Sequence, residues 1–402
     1  LFLSLTVLYY FLRFQWGWDT YVVAFQALML VSLSTIGIVI LVQRLHVLSQ
    51  QDFFYLIVIF YSLLLLSLSS FRGGMPALLY GAKDYLLPIM LLPAYKILLS
   101  YKNRRFIYYT VASLGFLVSF IYLCEFINKF ILLEGYFSYT EGIRDLMNKK
   151  GFSGIAESSF DNGEIRFFRM PGPISHSSAT GLMIAIGLLA ALPLKRKKID
   201  PMPQLIILVS FVALILCGAR TAWISCLIGY VYYQRLNFIS LIMTLSAFLS
   251  TILMFSLYNP AITELINISR FSGTMVDILQ KAEVLEISRF YNLVIGIGFN
   301  YPGMLENEEF MFRPILEDDF FALQLFTMYG FLPILFFVYY IFRERKDVDM
   351  YIYEDKYWRA GKAILICFLI SVIHTNALVR PQLLPLFILF VVIVDQIRFA
   401  YK

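Results

Sequence analysis

Apolar runs of about twenty residues alternate with short polar turns along this chain, and only two long hydrophilic stretches interrupt the rhythm. Runs of that length predict helices, because in hydrocarbon every backbone N–H and C=O must find its partner within its own segment. The pattern places spans near 1–14, 21–42, 53–70, 76–99, 106–130 and 176–194, then 204–219, 221–234, 236–257, 319–342, 360–376 and 381–398. The expected fold class is therefore an all-α integral membrane protein with about twelve transmembrane helices. Its organisation divides into helices over 1–130, a first large loop at 131–175, helices over 176–257, a second large loop at 258–318 and helices over 319–402. The first stretch is short and starts at Leu1, which suggests that its beginning is missing. No cleavable signal pattern is read there, as expected where the first helix itself directs insertion.

Composition agrees with the pattern: 60% of residues are hydrophobic, 17% aromatic and 15% charged, which excludes a soluble globular class. Orientation follows from the placement of Lys and Arg. One set of loops carries Lys102, Arg104 and Arg105, then Lys195 to Lys198, then Arg343, Arg345 and Lys346 with Lys356, Arg359 and Lys362. The intervening turns carry only Arg13, Arg72, Arg220 and Arg380. The first set is read as cytoplasmic, which makes both termini cytoplasmic and puts both long loops on the opposite face. The net charge of +6 then serves as an inside anchor, and no basic patch interleaved with aromatics points to nucleic acid. Cys124, Cys217, Cys226 and Cys367 fall within apolar spans without paired spacing and read as packing residues. No spacing of His, Cys and carboxylates suggests a metal.

The second loop is acidic, with Glu306, Glu308, Glu309, Glu317 and Asp318 among nine carboxylates against Arg270, Lys281, Arg289 and Arg313. Thr274 and Asp277 form a capping-box pattern, and the apolar positions from Met275 to Leu285 predict an amphipathic surface helix that carries Arg289 in its later turns and ends at Gly296-Ile297-Gly298. Between Pro203 and Arg235 the chain must go out and return in about thirty residues, where two full crossings need over forty. Either both helices are short or the turn at Gly218-Ala219-Arg220 is sunk. A sunk Arg220 would face a wet cavity or an anionic partner; otherwise it snorkels at a helix end.

Arg169 precedes a Pro171-Gly172-Pro173 break and the polar residues Ser175 to Ser178 at the mouth of the next helix. A helix N-terminus offers free N–H groups and partial positive charge, which suit phosphate. The alternative is an ordinary loop arginine before a polar cap. Asp318 and Asp319 read either as a carboxylate pair, one of them able to accept a proton, or as a solvated acidic helix start. His176 and His374 are rival bases. Lys83 and Asp84, inside the fourth span beside Pro88 and Pro93, are a further intramembrane pair.

These residues carry a resemblance. The chain resembles the O-antigen polymerase and O-antigen ligase superfamily of bacterial envelope glycosyltransferases. Arg169-Met-Pro-Gly172 is similar to that family's Arg-x-x-Gly lead into a membrane helix, and Cys217-Gly-Ala-Arg220-Thr-Ala222 to its Ser-Arg-small turn. Arg289 followed by Gly296-Ile297-Gly298 resembles the arginine of a surface helix that runs into Gly-x-Gly. The segment from Asp319 through Leu323-Gln324 to Gly330 has the spacing of the family's His-Asn-x-Tyr-Leu-Gln stretch, with Asp319 where the ligases have their proposed catalytic His. That departure favours the polymerase branch.

The resemblance implies a bacterial inner-membrane enzyme with its active site on the exterior face. It implies a polyprenyl-pyrophosphate-linked oligosaccharide as donor and another as acceptor, and a chain-length-regulating membrane protein as partner. Arg220 and Arg289, supported by Arg169, Arg270 and His176, would hold the pyrophosphate or glycan, since the forked donors of arginine match phosphate oxygens. Asp319 or Asp318 would deprotonate the acceptor hydroxyl for an inverting displacement. Arginine would take the role of a divalent cation, so no cofactor is expected. A ligase that transfers a finished glycan to lipid A-core is the nearest alternative. A transporter of lipid-linked glycan or anion is the alternative from another class, although no internal repeat of the kind transporters show is visible.

Overall fold

The computed structural model describes residues 1–43, 49–99, 103–132, 134–149, 158–160, 167–174, 176–195, 201–235, 328–343, 355–374 and 383–400, with isolated positions such as Gly296 between them. Among the described residues the chain is helical apart from one small ribbon. Four helices are long and apolar enough to cross a membrane, at Thr20–Gln43, Gln50–Phe71, Arg104–Lys129 and Ser177–Leu194. Shorter apolar helices lie at Pro201–Leu216, Phe331–Phe342 and Leu384–Ile397. Of the expected helix at 236–257 only isolated positions are described, and the stretch from Met275 to Leu285 expected as a surface helix lies outside the described residues.

The elements are α1 (Phe2–Val7), α2 (Tyr9–Trp16), α3 (Asp19–Gln43), α4 (Gln50–Gly81), α5 (Leu87–Ile89), α6 (Leu91–Leu98), α7 (Arg104–Phe130) and α8 (Ser138–Lys149). Then come β1 (Ser158–Phe160), β2 (Phe167–Arg169), α9 (Ser177–Ala191), α10 (Pro201–Leu216), α11 (Arg220–Gln234), α12 (Phe331–Phe342), α13 (Lys356–His374) and α14 (Leu384–Ala400). They fall into two compact units. The first comprises Leu1–Gln26, Arg104–Arg270 and Asp355–Ser371, and the second Ala27–Asn103, Phe271–Glu354 and Val372–Lys402.

In the first unit α9 is the central helix, buried along almost its whole length. Small residues let backbones approach it closely, as helices do in apolar surroundings where dispersion and fit must replace the hydrophobic effect. Gly115 of α7 and Gly187 of α9 meet so tightly that a Cβ on Gly115 would collide with the Cα of Gly187. On the same side, the Ser119 hydroxyl of α7 lies 3.2 Å from that of Ser210 on α10. Gly229 of α11 gives α13 equal access, its Cβ position lying 2.9 Å from the Ala363 carbonyl. Lys362 of α13 is 1% exposed and lies over the Trp358 ring at 4.1 Å. Lys356, Arg359 and Lys362, expected in a polar loop, thus belong to helix α13, and Lys362 is a core residue.

The stretch expected as the first loop holds more than loop. Amphipathic α8 packs on α2, with Gly142 so close that an added Cβ would lie 2.5 Å from the Phe14 ring. Antiparallel β1 and β2 pair Ser158 with Arg169 and Phe160 with Phe167. The single helix expected over 1–14 is two short ones, broken at Leu8 (φ −96°, ψ 12°) and ended by Gly17 in the left-handed region.

The second unit departs from the expected spans where glycine and proline act. The predicted helices at 53–70 and 76–99 run together as α4, whose helical geometry breaks at Gly74 (φ 63°, ψ −153°). The apolar span ends at Phe71 and the kink follows two residues after Arg72, where the short turn was expected. Beyond it, Ala82–Leu86 forms a π turn around Lys83 and Asp84. Pro88 has no N–H to offer the Asp84 carbonyl, so the ladder slips by one residue and the Leu87 N–H reaches back to Ala82.

Candidate functional site

Of the described residues that the sequence singled out, His176 and Arg220 lie at one end of the first unit, where α9 and α11 both begin, whereas Lys83 and Asp84 belong to the second unit. Chain reversal between α10 and α11 takes three residues. Gly218 supplies a left-handed conformation (φ +63°), the Cys217 thiol donates to the Ser177 carbonyl at 3.2 Å, and the Trp223 indole N–H donates to the Leu214 carbonyl at 2.5 Å. Those bonds satisfy the end of α10 and fix the turn against the first turn of α9. Gly181 completes the contact, since a Cβ there would lie 2.9 Å from the methyls of Ala219 and Ala222. Two helix N-termini are thereby packed side by side.

Arg220 is the first residue of α11 and is partly buried. A cation at that position opposes the helix dipole, at a cost of about 0.3–1 kcal/mol. Carboxylates are the charges that the first turn of a helix favours. The α11 and α9 N-termini share a positive sign and a common place, and Arg220 stands at the first position of α11.

The turn is also recessed. Helices α10 and α11 have 16 and 15 residues, about 24 and 23 Å, against a hydrocarbon thickness of about 30 Å. The neighbour α7 has 27 residues, about 40 Å. With Ser119 level with Ser210, α7 continues eleven residues to Phe130 whereas α10 continues six to Leu216. The difference of five residues leaves the Cys217–Ala219 turn about 8 Å below the end of α7. The Tyr122 hydroxyl, 3.4 Å from the Leu216 carbonyl, marks the same level. Of the two alternatives for this segment, the structure shows short helices, which also sink the turn against α7.

The lead into α9 is built from Met170 and Ile174, both fully buried, and from Gly172 (φ +64°), whose missing side chain leaves room for Thr180. The Thr180 hydroxyl donates to the Pro171 carbonyl at 2.6 Å. Arg169 ends β2 two residues earlier, so its backbone is delivered to the α9 mouth. His176 caps α9: its Nδ1 accepts the Ser178 N–H at 3.2 Å.

Asp318, Asp319, Arg289 and Arg270 lie outside the described residues. Two glycines from their segments are described, both in the second unit. A Cβ on Gly296 (φ +91°) would lie 2.6 Å from the Met328 carbonyl and 2.7 Å from the Gly330 nitrogen. The Gly-x-Gly end of one sequence element thus packs against the glycine that closes the other. Gly330 itself is left-handed (φ +81°) and caps α12.

Sequence reasoning passed over four buried acids among the described residues, Glu125, Asp395, Asp52 and Asp355. Glu125 of α7 is 0% exposed and accepts from the Tyr139 and Thr140 hydroxyls and, at 3.3 Å, from the Phe137 N–H. A lone Glu in an otherwise apolar span was the available signal. In the second unit, Asp395 of α14 accepts from Tyr340 at 3.0 Å and Tyr55 at 3.3 Å. Asp52 accepts from Lys96 at 2.6 Å and from Ser49 at 2.6 Å. Lys83 and Asp84, 3.7 Å apart, form an ion pair with Lys83 exposed and Asp84 buried. Compared with protein-family models, with curated proteins and with solved structures, the chain has no match.

Proposed function

We propose that this chain is a multi-pass membrane glycosyltransferase that polymerises lipid-linked oligosaccharide repeat units. The donor is a glycan on polyprenyl pyrophosphate, and the acceptor is the non-reducing sugar of a second lipid-linked unit. The observation that carries this reading is Arg220 at the first position of α11, set against the helix dipole, beside the α9 N-terminus in a turn sunk below the end of α7. Such an arrangement suits an anionic headgroup attached to a long apolar tail.

In the proposed reaction the bond between the anomeric carbon and the phosphate oxygen breaks as the acceptor hydroxyl oxygen bonds to that carbon from the opposite face. The anomeric centre inverts. The hydroxyl proton passes to Asp319, or to Asp318, and polyprenyl pyrophosphate leaves with the electron pair. Arg220 takes up the growing charge on the pyrophosphate through charge-assisted hydrogen bonds. Arg289 shares that role, Arg169 supports it, and Arg270 and His176 contact glycan or pyrophosphate. The inner membrane of a bacterium, with the site on its exterior face, is the corresponding location.

Purified protein in nanodiscs, given a polyprenyl-pyrophosphate oligosaccharide and EDTA, is expected to yield a ladder spaced by one repeat. A single transfer seen only with lipid A-core would make the chain a ligase. No transfer to either acceptor, with movement of the lipid across the bilayer, would make it a transporter.

A further inference from the structure

We infer that Cys226 of α11 and Cys367 of α13 form one dithiol site, which an apolar external disulfide oxidises to a bond tying the two helices together. Helix register carries the inference. Both helices belong to the first unit and run in opposite directions. The carbonyl of Tyr233, in the last turn of α11, accepts from Nη1 of Arg359, in the first turn of α13, at 3.2 Å. One turn further in, the Cβ position of Gly229 lies 2.9 Å from the Ala363 carbonyl. The next turn brings Cys226 on one helix and Cys367 on the other. Positions 226, 229 and 233, like 359, 363 and 367, keep the three- and four-residue spacing of one helix face. At about 1.5 Å of rise per residue, three residues on α11 and four on α13 leave the two cysteines within about 1.5 Å of the same level.

Gly229 supplies the approach. Packed helices ordinarily lie about 8–10 Å apart, whereas a disulfide needs Cα atoms about 4.4–6.8 Å apart. The missing side chain draws the two backbones into contact beside the thiols. Both thiols are free, Cys226 is 7% exposed and Cys367 fully buried, and Cys367 lies within electrostatic reach of Cys226. These apolar surroundings exclude charged reagents, so the oxidant is an uncharged disulfide carried in the bilayer. One cysteine, as thiolate, attacks a sulfur of that disulfide and expels a thiolate, which takes up the proton the cysteine lost. The second cysteine attacks the sulfur of the first and expels the other half of the oxidant as a thiol. Two cysteines are oxidised and the external disulfide is reduced to two thiols. Burial disfavours the thiolate, so the first attack is slow; the second is intramolecular and follows at once. The product braces α11, the helix that starts with Arg220, against α13.

The test uses the full chain in nanodiscs, with Cys124→Ser and Cys217→Ser so that only the pair remains, exposed for hours to dipyridyl disulfide and read by intact mass. The expected product is lighter by two hydrogens, about 2 Da, carries no pyridylthio adduct and has released both thiopyridone equivalents. Its thermal unfolding midpoint should rise by about 2–4 °C or more and return on addition of dithiothreitol. Adding Cys226→Ser should abolish the mass loss. A pyridylthio adduct on each cysteine would show the thiols too far apart to pair and overturn the assignment. So would two thiols that stay reduced in the folded protein while the denatured chain reacts. Neither result depends on whether the protein polymerises glycans.

Discussion

Two polar regions of this molecule use buried charge in opposite ways. In the second unit, Lys96 bonds to Asp52 and to Ser49, the Ser49 side chain and backbone bond back to Asp52, and the Gln396 amide closes the Lys96 and Leu99 carbonyls at 2.7 and 2.6 Å. Asp395 is likewise met by two tyrosines. Charge there is answered by its opposite or by donors within side-chain reach, and the result fastens helix ends. At the mouth of α9 and α11 the first unit sets like beside like: two helix N-termini, with Arg220 at the first position of α11. Buried polar groups that satisfy one another serve the fold. On the proposed reading, two helix N-termini set beside Arg220 serve a ligand.

Substitutions can break that comparison, and the largest expected effect falls on Arg220. Arg220→Ala should lower kcat/KM for ladder formation by 10² to 10³, on the order of 3–4 kcal/mol in transition-state binding, with an unchanged melting temperature. Arg220→Lys should recover part of the loss, because an ammonium keeps the charge and forfeits the fork. Rate loss with equal loss of stability would place Arg220 with the structural pairs instead.

Gly172→Ala should come next. It should cost at least as much stability as Gly181→Ala, about 2–3 kcal/mol, because a Cβ on a left-handed residue would also lie 2.5 Å from the buried Thr180 side chain, with a rise in KM as the Thr180 to Pro171 bond is displaced. Gly181→Ala follows. The added methyl, 2.9 Å from those of Ala219 and Ala222, forces α9 and α11 apart at a cost of about 1–3 kcal/mol, read by thermal unfolding, and slows transfer as the two N-termini separate. Lys96→Met is the opposite test. It should destabilise the protein by about 1–2 kcal/mol, discounted because the pair is partly exposed, and leave kcat/KM of the folded fraction unchanged. A specific loss of activity in Lys96→Met would dissolve the distinction between the two regions.

Much of the membrane character was legible because it depends on run length and polarity, which sequence carries directly. The spans at 21–42, 106–130, 176–194 and 221–234 lie within a few residues of α3, α7, α9 and α11. Geometry set by single residues was harder to read. The π turn at Ala82–Leu86, inside a stretch read as one helix, arises from one missing N–H at Pro88, whereas the break at Gly74 falls between the spans expected at 53–70 and 76–99. Arg220 and His176 could be found because charge and polarity interrupt apolar runs. That the two lie at adjacent helix starts depended on Gly181 and Cys217, small residues with no chemical signal of their own. Glu125 carried a signal, a lone acid in a span, but its partners Tyr139 and Thr140 come from a helix that polarity alone presented as loop.

The central claim, that the mouth of α9 and α11 binds the pyrophosphate of a lipid-linked glycan, is tested most directly by equilibrium binding of a polyprenyl-pyrophosphate lipid to the nanodisc-embedded protein. Wild type, Arg220→Ala and Lys96→Met would be compared at one ionic strength. The account predicts that Arg220→Ala weakens binding by tenfold or more, about 1.4 kcal/mol at least, and that Lys96→Met binds as wild type does. Equal affinity in wild type and Arg220→Ala would contradict it.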